Sequence, residues 1–78
     1  MTAQIIAPIP GIFYRKPAPD KAPFVEVGET VEAGQTIGVI EIMKQFTEVR
    51  SETAGVLASF EIEDYGTVGP GDVIATID

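Results

Sequence analysis

Short apolar runs alternate with polar residues along most of this chain, and turn-forming residues interrupt them every few positions. Gln4-Ile5-Ile6-Ala7 is a β-prone run closed by Pro8 and Pro10, and Ile12-Phe13-Tyr14 follows Gly11 as a second. Proline within sheets is confined to edges and strand starts, so the two prolines separate these runs. Phe24-Val25-Glu26-Val27 alternates like a half-buried strand and stops at Gly28. Glu29 to Gln35 reads as a turn with one apolar anchor, Val31. Strands follow over Thr36 to Glu41 and Phe46 to Arg50. Thr53-Ala54-Gly55 turns, Val56 to Glu63 is a strand, Asp64-Tyr65-Gly66 and Val68 to Asp72 turn again, and Val73 to Ile77 closes the chain. No window sustains the 3.6-residue period of a helix, so the pattern predicts an all-β fold of many short strands.

One stretch breaks the pattern. Glu41-Ile42-Met43-Lys44-Gln45-Phe46 lies between two apolar runs, where a hairpin would turn, yet it holds none of the usual turn residues. Two-residue hairpin loops favour Asn-Gly or Asp-Gly because both central residues need φ > 0. The local pattern fits equally well a continuous strand from Val39 to Val49, with Lys44 as a solvated side chain.

An internal repeat separates these alternatives. Val31 to Glu41 lies over Val68 to Asp78 at a shift of 37 residues, with Gly34 on Gly71 and Thr30 on Thr67. Pro10-Gly11-Ile12-Phe13 lies over Ala54-Gly55-Val56-Leu57 at a shift of 44. The first copy therefore carries seven extra residues between Phe13 and Val31. The Pro-rich segment Arg15 to Pro23, an ordered non-helical loop, is the natural place for them. On composition alone that loop is a plain surface connector. Gly11 and Gly55 are expected in equivalent turns. Two such halves predict a flattened barrel or sandwich of two four-stranded antiparallel sheets with a quasi-twofold axis, each half lending strands to both sheets. The link between halves is then a tight exposed hairpin with Lys44 near its tip.

Composition narrows the chemistry. Seventy-eight residues make one small domain, read as residues 1–78. Cysteine and histidine are both absent, which removes disulfides, thiolate metal sites and the usual general base. The net charge of -7 argues against nucleic acid and anionic membrane surfaces as partners. No apolar stretch approaches the roughly 20 residues of a membrane span, so a cytoplasmic protein is expected. A nucleophilic lysine needs burial or a cationic neighbour, and Lys44 has Glu41 and Glu48 nearby instead. Covalent modification of a displayed amine is the better fit, because an enzyme must reach Lys44 and the product must swing freely. Tethering raises effective concentration at each site the arm can reach.

At these residues the chain resembles the biotin carboxyl carrier domains of bacterial acetyl-CoA carboxylases, within the biotinyl/lipoyl attachment family. That family carries Glu-Ala-Met-Lys-Met or a close relative at its hairpin, and here the stretch reads Glu41-Ile42-Met43-Lys44-Gln45. The resemblance runs from Ala7 to near the end and includes Gly11-Ile12-Phe13-Tyr14-Arg15, Pro17-Ala18-Pro19-Asp20 and Phe24-Val25-Glu26-Val27-Gly28. The Pro-rich loop, about residues 15–23, corresponds to the "thumb" of the bacterial carriers, which folds towards the biotin. Lipoyl domains lack it and usually read Asp-Lys-Ala at the modified position.

The resemblance implies a barrel-sandwich hybrid whose Lys44 receives biotin from a biotin protein ligase. It implies that a biotin carboxylase loads a carboxyl group and a carboxyltransferase delivers it, with malonyl-CoA formation in fatty acid biosynthesis as the first expectation. Another acyl-CoA or an amide such as urea stays open as acceptor. Met43 and Glu41 match family positions beside the modified lysine and are expected to serve ligase recognition and arm chemistry. Without the resemblance they read as strand packing and a solvated charge. Three positions depart from the family: Ile42 where Ala is usual, Gln45 where Met or Leu is usual, and Lys16 where Thr or Ser is common. Ile42 is expected to narrow the ligase's approach, and Lys16 to be a solvated loop charge. Carriers of this type usually have an Ala/Pro-rich linker before the domain. None precedes Ala7 here, so either a short gene product or an excised domain with Met1 added is expected. The rival readings are a lipoyl carrier, an unmodified β scaffold with Lys44 inert and, last, a self-contained enzyme.

Overall fold

The computed structural model describes residues 3–18 and 20–78, so Pro19 of the Pro-rich loop lies outside the described residues, as do Met1 and Thr2. Among the described residues eight strands form: β1 (Ala3–Ile6), β2 (Gly11–Tyr14), β3 (Thr30–Val31), β4 (Thr36–Ile42), β5 (Gln45–Arg50), β6 (Gly55–Phe60), β7 (Thr67–Val68) and β8 (Val73–Ile77). They build two four-stranded antiparallel sheets, ordered β1-β8-β6-β3 and β5-β4-β2-β7. The described residues contain no helix. Each half of the chain contributes two strands to each sheet, as the repeat predicts.

The quasi-twofold extends to individual hydrogen bonds. Phe13 pairs with Ile40 in one sheet and Leu57 with Ile77 in the other. Gly11 pairs with Val68 as Gly55 pairs with Val31. Both β1–β8 and β4–β5 shift register at equivalent points, Ile5/Ile6 and Thr36/Gly38. Outside the ladders, the Ala7 N–H donates to Asp72 O (2.8 Å) and the Ser51 N–H to Gln35 O (2.9 Å). The repeat thus reaches back to Ala3–Ala7, a segment whose sequence gives little sign of it.

Both sheets face one core. Its fully buried pairs repeat across the axis: Val31 with Val68, Ile37 with Ile74, Ile40 with Ile77 and Phe13 with Leu57. The Phe13–Leu57 mismatch is compensated locally. The Phe13 ring fills the space where a Gly38 side chain would stand, whereas Leu57 shares its sheet with Ala75, which is Gly38's counterpart. Phe with Gly in one half and Leu with Ala in the other keep the paired side-chain volumes closer than either exchange alone would.

Three expectations are corrected. Phe24–Val27 is not a strand. The Phe24 N–H closes the loop onto Arg15 O (2.9 Å), and the Glu26 N–H is held by Glu29 Oε1 (2.7 Å). The Glu29 N–H returns to Glu26 O (3.0 Å), so these backbone groups make a turn instead of a ladder. The spacing misled because Val25 is buried as a single plug while Val27 is exposed. Second, Val31 and Val68 belong to the two-residue strands β3 and β7, not to turns, although Val31 is an anchor as expected. Third, Gly11 and Gly55 open β2 and β6 and do not lie in turns.

The equivalence of those two glycines holds for a different reason. A Cβ on Gly11 would stand 2.5 Å from Glu41 O, and one on Gly55 would meet Asp78 O. Glu41 and Asp78 are themselves counterparts at the 37-residue shift. Gly11 also has φ of 151°, a value L-residues rarely adopt. Gly11→Ala and Gly55→Ala are each expected to destabilise the domain by about 1–3 kcal/mol, because the ladder must part to admit the methyl. Urea unfolding of the two variants checks this, and unchanged midpoints would contradict the close-approach account.

Candidate functional site

β4 is the longest strand among the described residues, and it pairs with β5 without a break from Gly38↔Val49 to Ile42↔Gln45. That register leaves two residues, Met43 and Lys44, to reverse the chain. Met43 has φ of 49° and Lys44 φ of 67°, the positive signs that a type I′ turn demands at both central positions. The hairpin reading therefore stands, and the continuous strand from Val39 to Val49 does not. Each left-handed L-residue costs roughly 1–2 kcal/mol relative to the right-handed form. Met43 is 89% exposed, so it recovers little by packing; the strand-packing reading of this residue is excluded. Lys44 is exposed beside it.

The neighbouring carboxylates are engaged elsewhere. Glu41 is half-buried and accepts the Tyr14 hydroxyl at 2.8 Å, so it is not a solvated charge. That hydrogen bond, with burial and the negative charge of Glu41, holds the Tyr14 pKa above the usual tyrosine range. Glu48 accepts from Arg50 Nη2 (2.7 Å) and from Thr36 Oγ1 (3.1 Å), and these partners hold its carboxyl below the usual range. Ile42 is half-buried, and its Cγ1 occupies space that a Gly11 side chain would need. Its side chain packs over Gly11 of β2, at the end of β4 next to the turn. Gln45 closes the hairpin as the exposed partner of Ile42.

Beside the hairpin lies a cleft of about 350 Å³, lined by Tyr14, Phe46 and Tyr65 and by Lys16, Pro17 and Ala18 of the Pro-rich loop. Lys16 is half-buried along this cleft. Tyr14 meets Tyr65 edge-on (5.1 Å between centroids, 89°) and Phe46 at a tilt (6.4 Å, 50°). Arg15 pins the base of the loop. Its N–H donates to Asp64 Oδ1 (2.8 Å), Nη2 donates to Ile62 O (3.0 Å), and its guanidinium carbon lies 4.3 Å from the Phe60 ring centroid. The loop is therefore more than a plain connector. Sequence reasoning placed Tyr14 and Phe46 in motifs but missed the cleft and Tyr65. The available signal was Tyr65 falling opposite Gly28 in the repeat.

Fold and hairpin together define a class: a two-sheet β domain built of two similar halves, displaying one lysine at the strained link between them. The biotin–lipoyl family, described as "Biotin-requiring enzyme", matches residues 3–77. The biotin carboxyl carrier protein of acetyl-CoA carboxylase of a Nostoc species is 39% identical over 62 residues, covering 80% of this chain and 34% of the relative. The protein of the same description in Porphyra purpurea is 33% identical over 76 residues, covering 97% of this chain and 48% of the relative. The chain thus spans between a third and a half of the length of these two relatives. Among solved structures, Kluyveromyces lactis urea carboxylase superposes with a TM-score of 0.81 at 26% identity, over 100% of this chain and 6% of that one. This chain belongs to the biotin–lipoyl family.

The turn strain has a direct test. Replacing Met43-Lys44 by Asn-Gly should raise stability by roughly 1–3 kcal/mol, since those residues adopt positive φ at low cost. Denaturant unfolding of the double variant reads this out, and a loss of stability would refute a strained tip.

Proposed function

We propose that residues 1–78 form a biotin carboxyl carrier domain, with a thumb over about 15–23, that bears biotin on Lys44. The observation that carries this reading is the left-handed two-residue turn, which displays Lys44 at the tip of the longest hairpin in a chain of this family. The residues fit the group. The amine is exposed, the carboxylates nearest in sequence are turned to Tyr14, Thr36 and Arg50, and a largely apolar cleft lies within reach. When attached, biotin supplies a ring that accepts and releases a carboxyl group.

The chain's own contribution is presentation. Acylation of Lys44 Nζ by a biotin protein ligase turns an ammonium into a neutral amide, so the arm no longer has to keep a charge in water. Met43, nine-tenths exposed next to the amine, offers the ligase an apolar contact that the fold itself does not use. Glu41 fixes the hairpin stem to β2 through Tyr14, which keeps the tip in one place while the arm moves.

The domain itself is non-catalytic and works in the cytoplasm between a biotin carboxylase and a carboxyltransferase. Acetyl-CoA is the favoured acceptor, because the carriers named for acetyl-CoA carboxylase are 33–39% identical to this chain, against 26% for urea carboxylase. Met43 and the Pro-rich loop favour biotin over lipoate.

Co-expression with a biotin ligase in biotin-supplied cells should add the mass of one biotin amide to the intact protein. Lys44→Arg should leave unfolding unchanged and add nothing. A folded wild-type chain that gains no mass would overturn the carrier reading.

A further inference from the structure

Tyr65 is the one residue outside the hairpin, among the described residues, that holds positive φ without being glycine. Its φ is 68°, a conformation uncommon for any L-residue and more so for a bulky one. The quasi-twofold explains the backbone but not the side chain. Tyr65 donates its N–H to Phe13 O (2.7 Å), and its counterpart Gly28 donates to Leu57 O (2.8 Å) with φ of 96°. The same left-handed residue is thus required twice by the fold. Beside β6 it is glycine, the residue that adopts it without strain. Next to the hairpin it is tyrosine, and the residue is 55% exposed, so core burial does not account for it.

The ring has a defined place. It stands edge-on to Tyr14 and closes the cleft that Phe46 and the Pro-rich loop line. Its neighbour Asp64 takes the Arg15 N–H, so the turn carrying Tyr65 is tied to the base of that loop. Wall and loop are therefore fixed relative to each other. The loop is the natural place for the seven extra residues of the first half, so this insertion and the tyrosine at position 65 meet in the cleft.

We propose that Tyr65 is a positioning residue for the arm on Lys44, holding its ring system in this cleft while no partner enzyme has engaged it. This deepens the carrier reading above and rests on it. Phe46 lies two residues beyond Lys44, about 7 Å along the strand. An acylated lysine is longer than that separation, so its ring can fold back onto Phe46 and Tyr65. The free ammonium is excluded by the cost of leaving water, whereas the neutral arm is not. Aromatic faces with Pro17 and Ala18 line the cleft beside Lys16 and Asp64, which suits a compact bicycle that also carries polar atoms.

The test is proton NMR of the domain biotinylated on Lys44, compared with Tyr65→Gly and Tyr65→Asn, both of which tolerate positive φ. In the wild type, biotin ring protons should be displaced by ring currents and show nuclear Overhauser contacts to Phe46 and Tyr65. In both variants the displacement should collapse towards that of free biotin amide, and the Phe46 contacts should fade. Intact mass is checked first. Absence of added biotin would sink the carrier reading and this one with it. Biotinylated protein whose ring protons match free biotin amide, or keep their displacement in both variants, would overturn the role of Tyr65 alone.

Discussion

The register of β4 against β5 is the constraint on which the rest depends. Ile37, Ile40 and Val49 must all face the core, and a slip of one residue would turn each of them outward. That register leaves two residues between Ile42 and Gln45, and a two-residue reversal needs positive φ at both. Burying each of those three side chains stabilises the fold by roughly 1.5–3 kcal/mol. The left-handed turn costs about 1–2 kcal/mol per residue. The core therefore wins, and Met43 and Lys44 are held at the tip in a conformation their own chemistry disfavours.

Symmetry supplies the scaffold, and departures from it mark the working end. The halves agree down to individual backbone hydrogen bonds, including those of Ala7 and Ser51 far from the hairpin. They differ in the Pro-rich insertion after Tyr14 and in tyrosine against glycine at positions 65 and 28. The difference at Phe13–Gly38 against Leu57–Ala75 is one of packing. The others cluster around the cleft and the displayed lysine.

Much of this was readable because repeat shifts are arithmetic on glycines, valines and isoleucines whose spacing the two sheets require. The shifts of 37 and 44 placed the link, the insertion and the membership of the halves in both sheets. The lesser elements were not legible. Thr30–Val31 and Thr67–Val68 are too short for alternation to register, and Phe24–Val27 alternates because one valine plugs the core beside a turn. Lys16 looked like any loop lysine, since its half-burial depends on where Arg15 anchors the loop. Where the Ile42 side chain packs was not legible, because its approach to Gly11 is a long-range feature of β2 against β4.

The most direct measurement is peptide mapping by tandem mass spectrometry of the protein after reaction with a biotin ligase. The chain has three lysines, Lys16, Lys21 and Lys44, all outside the buried core. If display on the strained turn selects the site, every biotin will be found on Lys44 and none on Lys16 or Lys21. Biotin on either loop lysine, or shared among the three, would mean that exposure alone selects the amine and that the hairpin geometry does not.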